Sequence, residues 1–596
     1  MNKEPKSIWK KSWSGWRAFL LFAVSGFAVV LVFGIAAGVK SPATGLAGII
    51  VGLALLVWLL VAAIRWATRP RNFKRFIFGL ACLATLIALF YAEEDWRGWH
   101  AWNQFKHEWE AKGEHFNFAS VIPAPVPDDQ NFAMAPIWVE HIKATLGPKR
   151  AHQWYGDKFP DNGRTNFTER LQMNIDRNDD WPRAHSTTNG SGNWQTAKTS
   201  DLKIWQNYYR ATAAGTNEFP VAAQPQSPAQ DVLLALSKHD AAIEELRLAS
   251  QLPYSRFPLD YDNENPAAIL LPHLAAFKRC SQVLQLRSLA ELQNSQPEKA
   301  LADVNLSLQL TGKARDEFCL ISHLVRIAML QVTFQPIWEG LADHRWSDAQ
   351  LVALDAELAR LDFLADYKSS MRGEMAFQGG MIEYLRRHPE EIPGLSFNDE
   401  GNCNGPQPFP ARIVWHMIPS GWFYQNRLRS AQLMVNSYIP LADVNQKTVS
   451  PTSVRHADEV LSAEAKTTTP YNLLERMMLP SLGACAKKFA YAQASVDLAR
   501  TAIALERYRL AHGEYPESLD ALAPQFIAKV PHDVIGGGPL KYRRNADGQF
   551  VLYSIGWNET DDGGVVGYRK SSNPRDESAG TPDISQGDWV WRYPAK

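Results

Sequence analysis

Residues 506–522 read ERYRLAHGEYPESLDAL, the end of a long helix closed by a glycine and followed at once by a Tyr-Pro turn. Upstream, PSLGACAKKF leads into YAQASVDLARTAIALERYRLAHG, with Ala494, Leu498, Ile503, Leu505 and Tyr508 among apolar positions at helical spacing. Gly513 is placed to close this helix, because glycine enters the left-handed conformation of a C-cap without steric cost. Tyr515-Pro516 then turns the chain, and a short helix is expected from about Ser518 with Leu519, Leu522 and Phe526 facing inward. Two strands, 539–544 (PLKYRR) and 549–555 (QFVLYSI), are joined by Asn545-Ala546-Asp547-Gly548, residues of the favoured hairpin kind. The stretch predicts a long helix that runs into a small antiparallel sheet, together a C-terminal α+β module over 480–596.

Apolar residues at helical spacing extend, with breaks, from Asp231 to about Ala511. Candidate helices cover 231–251, 267–295, 298–312, 316–340, 347–363, 365–388, 410–440 and 471–512. Short polar or proline breaks separate most of them, so neighbours should pack as antiparallel hairpins in a helical body over 231–479. Within it, 290–310 (AELQNSQPEKALADVNLSLQL) resembles the turn and second helix of a tetratricopeptide unit, with Ala300 as the small residue at the crossing. The next comparable stretch, 343–362, follows about 50 residues later instead of the 34 of that family. The pattern suits a solenoid with a concave binding face or an irregular bundle equally. Of Cys280, Cys319, Cys403 and Cys485, the first two fall on neighbouring helices and form the favoured disulfide, with free buried thiols as the alternative. The segment 137–230 is polar and loop-rich, around a short helix at 200–213.

The N-terminal region reads as a membrane anchor over 1–92. Runs at 18–39 (AFLLFAVSGFAVVLVFGIAAGV) and 44–64 (TGLAGIIVGLALLVWLLVAAI) have the roughly 20 apolar residues needed to cross a bilayer, and a shorter run at 76–92 ends in Glu93, Glu94 and Asp95. Three transmembrane helices are expected. Lys3, Lys6, Lys10, Lys11 and Arg17 precede the first run, and Arg65, Arg69, Arg71, Lys74 and Arg75 lie between the second and third. Basic flanks stay inside, so the N-terminus is expected in the cytoplasm and everything after about residue 92 outside it. An uncleaved first span is preferred to a cleaved signal peptide at Gly34-Ile35-Ala36, because the run is long and further runs follow. Over 93–136 an aromatic helix with Trp96, Trp99, Trp102, Phe105 and Trp109, read as an interfacial anchor, precedes a proline-broken linker at 121–136. The stretch 96–134, with its D-W-R-G opening and IPAPVPDDQNFA, is similar to one in uncharacterised bacterial membrane proteins.

Further along, YRLAHGEYPESLDAL, then KVPHDVIGGGPLKYRR, then GQFVLYSIGWNETDDGG, then PDI occur in an order that resembles the C-terminal domain of the major pseudopilin of type II secretion, from about Val496 onward. The resemblance implies a helix tail on a small antiparallel sheet, with a late loop that can hold calcium. Carried over, that loop offers Asn558, where the family commonly has aspartate, together with Asp561, Asp562 and Asp583; Asp588 is a further oxygen source nearby. A hard cation wants six to eight oxygens, while a solvated acidic turn is the alternative reading of the same residues. The family's leader, its Gly-Phe processing junction and its stem glutamate do not precede this module, so a polymerising subunit is not expected. Its usual DPWG is also altered here, with Asp533 followed by Val534, Ile535 and three glycines.

Lysine plus arginine, 62, equals aspartate plus glutamate, 62, which argues against nucleic acid or an acidic substrate as partner. No GxSxG, HExxH, GxxxxGK[ST] or strand-linked GxGxxG appears. Ser7-Ile8-Trp9-Lys10 fits SxxK only by chance in a cytoplasmic tail, and the histidines form no metal-spaced pair. The expectation is a membrane-anchored, extracytoplasmic, non-catalytic binding or scaffold protein of the bacterial envelope, near a secretion or surface-fibre system. Its partners would be the lipid bilayer and envelope proteins, with no cofactor beyond calcium. The alternative is an extracytoplasmic hydrolase with dispersed catalytic groups in the helical body.

Overall fold

Local rules set the helix boundaries before packing is considered. The computed structural model describes residues 70–147, 170–176, 190–213, 218–395, 415–478, 482–570 and 580–594. Helix α1 (Pro70–Glu110) is followed by α2 (Pro136–Leu146), α3 (Leu202–Ala213), α4 (Pro228–Leu236), α5 (Asp240–Ser250), α6 (Pro272–Gln293) and α7 (Pro297–Lys313). Then come α8 (Leu320–Ala342), α9 (Asp348–Leu358), α10 (Phe363–Arg387), α11 (Ser420–Leu433), α12 (Pro451–Ala465), α13 (Leu473–Met478) and α14 (Leu482–His512). Proline, whose missing N–H costs nothing in a first turn, opens α2, α4, α6, α7 and α12. Ser227 with Gln230, and Ser347 with Gln350, form capping boxes at the starts of α4 and α9.

The runs at 18–39 and 44–64, and Cys403, lie outside the described residues. Among the described residues two helices, rather than three, are long and apolar enough to cross a membrane: α1, from Phe73, and α8. The apolar stretch of α1, which contains the expected run at 76–92, is exposed, with Phe78, Leu83, Leu86 and Leu89 uncovered. That of α8 is mostly buried, since α6, α7 and α14 pack around it, and α8 is therefore a core helix.

The chain divides into two compact units between Trp96 and Arg97. In the second unit the aromatic band of α1 splits its roles. Trp99 is exposed, whereas Trp102 and Phe105 are buried against Phe116 at ring distances of 5.5 and 5.6 Å. The Arg427 guanidinium lies 4.5 Å from the Trp102 ring, and Arg372 forks onto both oxygens of Glu114 at 2.7 and 2.8 Å. The band expected to be an interfacial anchor is thus half core. The expected linker is packed as well: Phe132 and Ala133 are fully buried, and the Asn131 amide bonds the Arg256 N–H and C=O at 2.9 and 2.8 Å. Prolines forbid a long helix there but leave the apolar side chains free to pack.

Helices α6 and α7 form the expected hairpin, turned at Ser295 (φ 56°), with Ala300 fully buried. Cys280, on α6, and Cys319, just before α8, are free thiols, which corrects the favoured disulfide. Cys280 sits among Phe277, Val283 and Leu284, where burial pushes its thiol up to about 12 and leaves it inert.

Helix α14 runs through the middle of the second unit. From Phe489 to Glu506 nearly every side chain is buried, on all faces, as in a helix enclosed by others rather than one lying on a surface. It packs on α8, α9, α10 and α12, and carries the sheet. Gly513 closes it with φ +84° and an N–H donated to Arg509 O at 2.7 Å. A two-residue pair, β1 (Ala442–Asp443) and β2 (Thr448–Val449), lies beside it. The main sheet follows: β3 (Lys541–Arg544) and β4 (Phe550–Ser554) form the expected hairpin, with Lys541 opposite Tyr553. A smaller antiparallel pair is made by β5 (Val566–Tyr568) and β6 (Pro582–Gly587), and β7 (Trp589–Arg592) completes the main sheet in the order β3-β4-β7. Fully buried Trp591 lies against Trp194 and Phe334, with ring centroids at 5.3 and 6.2 Å, so the sheet is keyed into the helical body.

Candidate functional site

Where α11 meets α13 the apolar side chains do not fill the space between them. Ile392, Trp415, Ile418, Phe423, Leu473 and Leu474 line a pocket of about 350 Å³, within the usual range for a small ligand. Trp422, Asn426, Thr468, Thr469 and Pro470 complete its wall.

Asn426 holds the pocket in shape. Its Nδ2 donates to Trp422 O and Pro470 O, both at 2.7 Å, and its Oδ1 accepts from Leu474 N at 2.9 Å and Glu475 N at 3.3 Å. One amide therefore caps the start of α13 and pins it to α11. Asn472 closes the preceding turn by accepting from Thr469 N at 2.7 Å and donating to Thr467 O at 2.9 Å. The chain neighbours of Trp422 and Pro470 touch α1: a Cβ on Gly98 would stand 2.3 Å from Gly421 O, and Arg97 donates to the Tyr471 hydroxyl at 3.0 Å. The D-W-R-G opening thus has a structural reason, since only glycine permits that crossing. Sequence reasoning missed these residues. The available signals were two local ones, IPSGW and TTTPYN, each a proline turn beside a helix start.

The residues proposed for calcium are placed differently. Asp588 spends Oδ2 on the N–H groups of Gly564 and Val565, at 2.6 and 3.3 Å, and Oδ1 on that of Asp562 at 3.3 Å. Asp561 accepts from the Tyr553 hydroxyl at 2.9 Å and from Gly563 N at 3.1 Å, and pairs with Lys541 at 3.4 Å. Asn558 donates to Asp562 at 2.7 Å, and Asp583 caps Ser585 N at 2.9 Å on β6. The structure brings Asn558, Asp561, Asp562 and Asp588 to one loop, where their oxygens serve loop amides and side chains. Among the described residues no group of three or more His, Cys, Asp or Glu is arranged to hold a metal.

Charged groups under the surface brace helices against one another. Asp303 takes Arg247 and Arg287 on its two oxygens at 2.7 and 2.9 Å, joining α5, α6 and α7. Asp366 takes Arg315 and Arg326 at 3.1 and 3.0 Å. Buried Glu317 accepts from His273 at 2.6 Å and from the Ser322 hydroxyl. That serine donates to the carboxylate and not to a histidine, so this cluster lacks the nucleophile-to-base bond of a hydrolytic triad. Comparison with protein-family models, curated proteins and solved structures returned no match for this chain.

Proposed function

We propose that the chain is a membrane-anchored binding protein of the bacterial envelope, with its N-terminus in the cytoplasm and its body outside, acting by holding a ligand or partner rather than by catalysis. One observation carries the reading. Helix α1 contains, in one unbroken element, an exposed apolar stretch suited to lipid and an aromatic end that belongs to the core of the body. The basic residues on either side of 18–64 support the orientation. The pocket supports binding over chemistry, because no acidic, basic or thiol side chain is among the residues that line it. A link to a secretion or surface-fibre system, and calcium in the late loop, rest on the C-terminal resemblance alone.

Two measurements test the anchor. Membranes washed with alkaline carbonate should retain the full-length protein. In intact spheroplasts a membrane-impermeant maleimide should label an Ala546→Cys variant, placed on the exposed β3–β4 turn, above the wild-type background. Release by carbonate would overturn the anchor, and labelling only after lysis would overturn the orientation.

A further inference from the structure

We infer that the pocket between α11 and α13 takes one acyl chain of a membrane phospholipid. The inference rests on the membrane-anchored reading and deepens it by naming a ligand class. The first ground is the chemistry of the lining. Asn426 has both amide protons donated and its oxygen accepting twice, which leaves it little capacity for a ligand. The Thr469 hydroxyl donates to Asn472 at 3.0 Å, and the Thr468 hydroxyl accepts from Arg476. These three side chains are already engaged with the protein, and a hydrocarbon chain displaces none of their bonds while gaining contact with Ile392, Ile418, Phe423 and Leu474.

The second ground is covalent reach. Gly421 and Tyr471, next in the chain to the lining residues Trp422 and Pro470, contact Gly98 and Arg97, and Gly98 is six residues beyond Ala92, where the apolar run ends. Even a fully extended chain spans at most about 3.5 Å per residue, so these contacts lie within roughly 20 Å of that end. A chain leaving the bilayer is therefore close at hand, which favours a lipid over an apolar solute arriving through water.

The test uses full-length protein in nanodiscs of phosphatidylethanolamine and phosphatidylglycerol that contain a phospholipid with a diazirine on one acyl chain. After irradiation and digestion, adducts are expected on peptides covering 415–426 and 468–474 as well as on 73–92. Leu474→Trp, which fills the cavity, should remove the first set and leave the second. Ile418→Phe, a smaller filling, should reduce the first set while the melting temperature stays at the wild-type value. Adducts on 73–92 alone would overturn the pocket and leave the anchor standing, whereas adducts on neither would overturn the anchor as well. Labelling of the pocket by a photoreactive free fatty acid but not by the phospholipid would overturn the lipid source.

Discussion

Glu506 shows why the stretch at 506–522 is built as it is. It is fully buried, and it accepts from Arg509 at 2.8 and 2.9 Å, from the Tyr515 hydroxyl at 2.9 Å and from His344 Nδ1 at 2.9 Å. Burial alone would raise its carboxyl, but the hydrogen bonds from Arg509 and His344 outweigh that and hold it below the usual carboxylate range. The residue thus locks the turn at Tyr515-Pro516 back onto the end of α14. Glu506→Gln should cost about 3 kcal/mol near neutral pH, and Tyr515→Phe about 1 kcal/mol, read by chemical unfolding. Because the folded carboxyl is depressed, its contribution is present above the unfolded value and fades as pH falls through the folded one. The gap between wild type and Glu506→Gln should therefore narrow in acid. Asp497, also on α14, has the opposite sign: burial pushes it up to about 7 against a bond from Gln493. Between about pH 4 and 7 the folded protein holds a proton that the unfolded chain has released, so stability falls as pH rises. Asp497→Asn should gain on wild type across that window and level off above it, by an amount on the order of 2–4 kcal/mol. A constant difference from pH 4 to 8 would contradict this.

At the scale of elements, helix starts and stops were largely legible, because proline, serine and glycine act through their immediate neighbours. Gly513 and the prolines of α6 and α7 lie where local chemistry places them. Helix crossings were not legible. Gly98 meets Gly421 across more than 300 residues of sequence, and a Cβ on Gly373 of α10 would stand 1.8 Å from Phe318 O. Nothing local to either glycine names its partner. Gly98→Ala should force α1 and α11 apart and cost roughly 1–3 kcal/mol, seen as a lower melting temperature and faster proteolysis around 415–426. An unchanged melting temperature would mean that this crossing is loose.

At the scale of the whole molecule, residues on both sides of position 480 share one core. Buried residues from Trp102 and Phe334 to Leu498, Phe550 and Trp591 form a single cluster, and Trp338 Nε1 donates to Arg592 O at 3.0 Å. A chain ended at Met478 should therefore lose cooperative unfolding rather than leave an intact helical body, as circular dichroism during thermal unfolding would report. Trp591→Ala should destabilise the protein by about 3–5 kcal/mol, since the ring fills the junction of sheet and helices. Retention of a sharp transition after the truncation would show that the body does not need α14.

By itself the sequence determined the mainly helical class, the α6–α7 hairpin, the glycine-closed long helix and the β3–β4 hairpin. Each of these follows from periodicity or turn chemistry within a few tens of residues. The tertiary structure decided that α8 is core, that α14 lies at the centre of the second unit, that the proline-rich segment is packed, and that the Cys280 and Cys319 thiols are free. It also created the pocket, whose lining comes from Ile392, the segment before α11 and its first turns, and the turn before α13 with its first residues. The physical reason is shared: burial and close approach depend on partners distant in the chain, and a single sequence carries no local mark of which segments will meet.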